Sequence, residues 1–160
     1  MISQTAEYAL RAIVYLAAQG GDARTAQQIA GVTRVPAGYL SKVMQGLSRA
    51  GLVHSQRGLH GGFTLAVPAA GLSVFDVVQA VDPLRRIRSC PLGLKGHLNL
   101  CPLHRRLDQA LNRVEEALRE SSIAELLAES KPEQGIPRPL CPWPAERDEL
   151  IVLGKQPKGR

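Results

Sequence analysis

Long apolar runs are missing from this 160-residue chain, and aromatic side chains make up only 4% of it. No stretch of 18 apolar residues occurs, which argues against a membrane-spanning helix. With two Phe, three Tyr and one Trp, the 44% of hydrophobic residues must build an aliphatic core. Cysteine is scarce: Cys90, Cys101 and Cys141 are the three. An odd count argues against a structural disulfide framework and leaves metal binding or redox chemistry as the sharper use, with unrelated buried thiols as the plainer one. The opening Met-Ile-Ser-Gln-Thr-Ala-Glu lacks the basic start and apolar stretch of a secretory signal, which predicts a cytoplasmic protein. Catalytic signatures are lacking as well. There is no G-x-S-x-G, Walker loop or H-E-x-x-H, so the chain reads as no enzyme, with spatial Cys–His catalysis the one enzymatic alternative.

Carboxylates are sparse where they would matter to an acidic partner. The net charge is +6. Residues 1–70 carry Arg11, Arg24, Arg34, Lys42, Arg49 and Arg57 against only Glu7 and Asp22, a balance of +4. Such a surface can approach a phosphate backbone without local repulsion.

The length suits one compact domain or a small domain with an extension. A first helix is expected from Ser3 to Gln19, capped by Ser3, with Ala6, Ala9, Leu10, Ile13, Val14, Leu16 and Ala17 inward. Thr25-Ala-Gln-Gln28 is a capping-box signature for a short second helix, and Gly31 to Val35 reads as a break. Pro36 fits the first position of a third helix in which Leu40, Val43, Met44 and Leu47 share a face, with Gly51 as its stop. Leu52 and Val53 start an extended stretch; Gly-rich Arg57–Gly62 follows, and then the alternating Phe63–Val67. A helix-turn-helix followed by such a hairpin reads as a winged helix. Ser73-Val-Phe-Asp76 caps a fourth helix ending near Asp82-Pro83. A last, long helix is expected over 103–128, with Leu103, Leu107, Leu111, Val114 and Leu118 as a narrow apolar seam on a charged rod, a pattern suited to a partner helix. Packing against its own domain is the alternative. The fold class is therefore mainly α with a small β-hairpin wing: a winged helix-turn-helix plus a long dimerisation helix. The expected organisation is a DNA-binding domain over 1–82, a basic segment and cysteine-bearing sensor loop over 83–102, the dimerisation helix over 103–128, and a Pro-rich extended or disordered tail over 129–160.

A helix that reads double-stranded DNA hides one face and offers the other to base edges. Lys42 and Gln45 are long enough to reach bases, while Tyr39 and Ser41 suit phosphates. The wing glycines permit close approach, Arg57 suits the minor groove, and His60 at the tip suits a phosphate. A winged-helix protein-interaction module is the alternative of a different class.

The opening Ser-Gln-Thr-Ala-Glu-Tyr-Ala-Leu-Arg-Ala, the Arg-Gly-x-x-Gly-Gly wing, the Val-Val-Gln-Ala-Val-Asp helix and Cys90 ahead of a cysteine-bearing loop form a recognisable set. Together they resemble the Rrf-type winged-helix regulators, which include the iron–sulfur cluster regulator and the nitric-oxide-sensitive repressor. The resemblance covers about residues 1–128 and leaves out the Pro-rich tail. It implies homodimers crossed by a long helix, partly palindromic operators, and in many members an iron–sulfur cluster whose state changes DNA affinity. The usual loop has three cysteines with five residues between neighbours. Here Cys90 and Cys101 match the outer two, ten residues apart, and His97 lies near the place of the absent middle one. By the same resemblance, Glu7 matches a ligand supplied by the other subunit, and His104 in Cys-x-x-His matches a ligand after the last cysteine.

Chemically, Cys90, Cys101, His104 and either Glu7 or His97 can supply four ligands to a [2Fe–2S] or [4Fe–4S] cluster, with Arg85, Arg86, Arg88 and Lys95 nearby to favour thiolates. Cys90, His97, Cys101 and His104 equally suit zinc, and a Cys90–Cys101 thiol switch needs no cofactor at all. The loop joins the winged domain to the dimer helix, so oxidation, nitrosylation or loss of a cluster held there would shift the two reading heads.

Overall fold

The computed structural model describes residues 2–58, 61–90 and 99–129. Its elements in chain order are α1 Gln4–Ala17, α2 Ala26–Thr33, α3 Ala37–Arg49, β1 Val53–Gln56, β2 Gly62–Leu65, α4 Val74–Val81, α5 Pro102–Glu120 and α6 Ile123–Glu129, with a 3-10 turn at Ala69–Gly71. The architecture is the expected winged helix-turn-helix, mostly helical with one antiparallel hairpin.

Local chemistry sets most of the helix starts. Ser3 Oγ accepts from the Ala6 amide, and Thr25 and Gln28 exchange both capping-box bonds. Ser73 and Asp76 do the same for α4. At α3, Pro36 stands outside the helix as its extended cap residue, so Ala37 is the first helical position. The break before α3 also comes later than expected. Helix α2 runs through Gly31 to Thr33, whose hydroxyl donates to the Ile29 carbonyl at 2.7 Å, and Arg34 ends it in the left-handed conformation at φ 56°.

The core collects on α1. Ala6, Ala9, Ala12, Ile13, Val14 and Leu16 are buried there, meeting Ile29 of α2, Leu40, Val43, Met44 and Leu47 of α3, and Val74, Val77 and Val78 of α4. Small residues on α1 let its neighbours approach closely, and the aliphatic side chains fill the remainder.

Strands β1 and β2 pair in the register Val53↔Leu65 to Gln56↔Gly62. A third backbone strip joins them: Arg24 and Phe63 exchange N–H···O bonds at 3.0 and 2.8 Å. Sequence periodicity gave no sign of it, because a single residue carries the pairing. Gly62 is required where it passes Arg24, since a Cβ there would lie 2.8 Å from the Arg24 carbonyl carbon and oxygen.

The long C-terminal helix differs from expectation. It ends at Glu120, and a second helix, α6, follows after Ser121-Ser122. The cause is a capping box within the apolar pattern: Ser122 Oγ accepts from the Glu125 amide at 3.2 Å, and the Glu125 carboxylate accepts from the Ser122 amide at 2.7 Å. This turn is sewn to the domain by Val74 N–H to Ser121 O (2.9 Å) and Ile123 N–H to Leu72 O (2.8 Å), and Ile123 is fully buried. Among the described residues, no helix is long and apolar enough to cross a membrane.

Two outcomes are expected. Gly62→Ala forces the wing off Arg24 and lowers stability by about 2 kcal/mol in chemical denaturation, the scale of a steric clash at a packed backbone. Ser122→Ala removes the α6 cap and lowers it by about 1 kcal/mol.

Candidate nucleic-acid interface and cysteine–histidine site

Helix α3 separates its two faces cleanly. Leu40, Val43, Met44 and Leu47 are buried, while Ser41, Lys42, Gln45 and Arg49 are exposed. Lys42 and Gln45 thus stand on the outward face, beside the wing hairpin that directly follows α3. Tyr39 also has partners within the chain. Its ring meets Tyr8 edge-on, with centroids 5.6 Å apart, and its hydroxyl lies 2.5 Å from Thr5 Oγ1. It therefore fastens α3 to the start of α1, where it still keeps 40% of its surface exposed. The Ser41 hydroxyl donates back to the Ala37 carbonyl at 3.3 Å, although its side chain stays at the surface. Arg57 is exposed just past β1, and Gly58 follows at φ 107°. His60 lies outside the described residues.

The second site sits where the segment after α4 meets the start of α5. Cys101 is the residue before the helix, Pro102 is its first residue, and His104 falls in its first turn. Pro102 fits there because a first-turn residue has no partner for its N–H. His104 Nδ1 lies 3.1 Å from Cys101 Sγ and 3.9 Å from Cys90 Sγ. All three ligand atoms lie within 4.8 Å of one another; Cys90 is buried, and the other two are half-buried. Ten residues of sequence between the cysteines are closed into one cluster by the fold.

Two thiols and an imidazole are the donor set of thiophilic metals and of iron–sulfur centres with mixed ligation. Bond lengths of a tetrahedral zinc site place its donors about 3.6 Å apart, a value that the observed 3.1 and 3.9 Å bracket. The residues present therefore fit a metal centre, with a fourth donor still to be supplied. Glu7 is not part of this group within the chain. Its carboxylate pairs with Arg11 one turn along α1 and is 55% exposed. His97 and Lys95 lie outside the described residues, as does Cys141.

Arg86 departs from its expected role as a charge that favours thiolates. Its Nε and Nη2 donate to the two carboxylate oxygens of Asp108 at 2.7 and 2.6 Å. Nη1 reaches Asn112, and Glu115 at 3.4 Å. The Ile87 amide adds a bond to Asp108 at 2.9 Å. Hydrogen bonding from Arg86, opposed in part by desolvation and aided by the Ile87 amide, holds the Asp108 carboxyl below the usual carboxylate range, and the Arg86 guanidinium is held still more firmly protonated. Neither Asp108 nor the Arg86 clasp is legible from local pattern, because the partners stand 22 residues apart. The available clue was that Asp108 lies one helical turn beyond His104 on the same face.

At the far end of α5, the Arg119 guanidinium lies 3.5 Å from the centre of the Phe75 ring, tying this helix to α4. Along its whole length the helix has no buried residue, and Leu103, Leu107 and Val114 stay 62%, 47% and 45% exposed.

Comparison with known proteins identifies the family. The family model described as "Rrf2: Iron-dependent Transcriptional regulator" matches residues 2–129. A candidate helix-turn-helix transcriptional regulator of Aquifex aeolicus is 28% identical over 133 residues, covering 79% of this chain and 91% of that protein. Among solved structures, T. potens IscR is similar at a TM-score of 0.69 and 23% identity, over 82% of this chain and 88% of that one. Oxidised Staphylococcus aureus CymR is similar at a TM-score of 0.64 and 27% identity, over 83% and 99%. The family so matched is one of transcriptional regulators and not of enzymes. The chain belongs to the Rrf2 family of DNA-binding transcriptional regulators.

Proposed function

We propose that this regulator acts in the cytoplasm as a homodimer that binds partly palindromic operator DNA and senses redox, nitric oxide or iron–sulfur status through a cluster at Cys90, Cys101 and His104. The observation that carries the sensing half is the convergence of those three donors at the start of α5 in a chain of this family. Such a cluster, when bound, supplies one-electron redox chemistry in a thiol-rich setting. The chain's own contribution is to hold two sulfurs and one nitrogen at a junction between the winged domain and α5. The fourth ligand is Glu7 of the second subunit, which requires that its ion pair with Arg11 open; His97 is the alternative donor.

The dimer reading rests on α5. Three large apolar side chains one or two turns apart face solvent along a helix that buries none of its residues, and a second α5 covers them. Each subunit then presents one α3 to a half-site, with Lys42 and Gln45 at base edges, Arg57 and His60 at the wing, and Ser41 at phosphate. Tyr39 contributes through its phenol edge while bound to Thr5.

A second reading is favoured by one measurement of the site. The donor separations match a single tetrahedral metal, so a mononuclear zinc centre is the alternative occupant.

Protein purified without oxygen is expected to absorb broadly in the visible and to contain iron and acid-labile sulfide in equal amounts, both lost in Cys90→Ser and Cys101→Ser. Stoichiometric zinc in colourless protein would select the mononuclear reading, and absence of any metal would overturn both. On an operator duplex, Lys42→Ala should weaken binding about ten-fold and relax the base preference at the position it reads. Leu107→Asp should convert a dimer to monomer in sedimentation equilibrium; a monomeric parent would refute the dimer.

A further inference from the structure

Arg86 and the site are arranged along one face of α5. Cys101 precedes the helix, His104 is in its first turn, Asp108 is one turn on, and Asn112 and Glu115 occupy the next two turns. The chain entering the site runs the opposite way along this face. Arg86 and Ile87 bind Asp108, and Cys90, four residues later, reaches His104 and Cys101. Four residues span at most about 13 Å, and the helix from 101 to 108 rises about 10 Å, so the tether leaves little slack. Five polar contacts fix the Arg86 end: two to Asp108 from its guanidinium, one each to Asn112 and Glu115, and one from the Ile87 amide.

We infer that Arg86, locked in the bidentate grip of Asp108, is the positioning residue that holds Cys90 against Cys101 and His104 before any metal arrives. This rests on the Cys90–Cys101–His104 site proposed above. The clasp spends most of the Arg86 fork on α5 carboxylates, so its charge serves geometry and not thiolate ionisation. A planar fork is needed for that grip, and an ammonium cannot copy it.

The two roles predict opposite results for conservative changes. If Arg86 acted through charge alone, Arg86→Lys would keep the site, and Asp108→Asn would strengthen it by releasing positive charge toward the thiols. If Arg86 positions Cys90, both changes loosen the site.

The test uses the full chain with Cys141→Ser, so that only Cys90 and Cys101 can pair. In a glutathione redox buffer without metal, one glutathione disulfide oxidises the two thiols to a Cys90–Cys101 disulfide and leaves as two glutathione thiols. The equilibrium ratio reads the effective concentration of one cysteine at the other. Arg86→Lys, Arg86→Ala and Asp108→Asn are each expected to lower it by about a factor of ten, while circular dichroism and operator binding through α3 are retained. The double change Arg86→Ala with Asp108→Asn should cost no more than either alone. Binding of Co(II), followed by its thiolate absorption, should weaken about ten- to hundred-fold in the same variants. Unchanged disulfide equilibria in Arg86→Lys and Asp108→Asn would overturn the positioning role even if Co(II) binds the parent. A parent that takes up no Co(II), with disulfide equilibria that still depend on Arg86, would overturn the metal site and leave the positioning role standing.

Discussion

Helices can gather around one central helix only if that helix carries little bulk at the crossings. Ala6, Ala9 and Ala12 are all fully buried on α1, each about one turn from the next, and α2, α3, α4 and α6 pack around it. The helix proposed to read DNA is held from behind by this arrangement. Helix α3 presses Leu40, Val43, Met44 and Leu47 inward, which leaves Lys42 and Gln45 no choice but to face outward. Helix α6 closes the same core with Ile123, so the chain that leaves the domain to form α5 comes back to it. A larger residue at Ala9 would strain several interfaces at once.

That return gives α5 its character. It is a charged rod with an apolar seam, free of buried residues, and held at its middle and its C-terminal end. The Arg86 clasp grips its middle at Asp108, Asn112 and Glu115, and Arg119 on Phe75 together with the Ser122 turn secures its C-terminal end. The cluster lies at the N-terminal start of that helix, and the ties to the rest of the chain lie farther along it. In the proposed dimer, the same helix carries the seam between subunits, which brings sensing and assembly onto one element.

Much of this was legible in the chain itself because its information is local. Capping pairs such as Thr25 with Gln28 and Ser73 with Asp76 mark helix starts within four residues, and the spacing from Leu40 to Leu47 marks the buried face of α3. Glycines around Arg57 marked the wing. What escaped was either non-local or hidden in a continuing pattern. The Arg24–Phe63 bridge involves one residue far from the hairpin, and no periodicity announces it. The break at Ser121 lay inside an apolar rhythm that Ile123, Leu126 and Leu127 prolong, so the capping box was masked by its neighbours. At the cluster, residue types suggested ligands, and the fold brought Cys90, Cys101 and His104 together. Tyr39, assigned to phosphate by its polarity, was claimed by Thr5 and Tyr8 across 34 residues of sequence, which no window reading can anticipate.

The Arg24 bridge bears on how such a protein can be switched. Arg24 immediately precedes the capping Thr25 of α2, so the wing hangs from the same short stretch of backbone that starts the helix-turn-helix. With no side chain at Gly62, the two backbones lie in direct contact, without the cushioning that a layer of side chains would supply. The hairpin and the start of the helix-turn-helix consequently share one backbone bearing. In the proposed regulator, a signal arising elsewhere would therefore move the hairpin and the helix-turn-helix together and alter where both land along the groove.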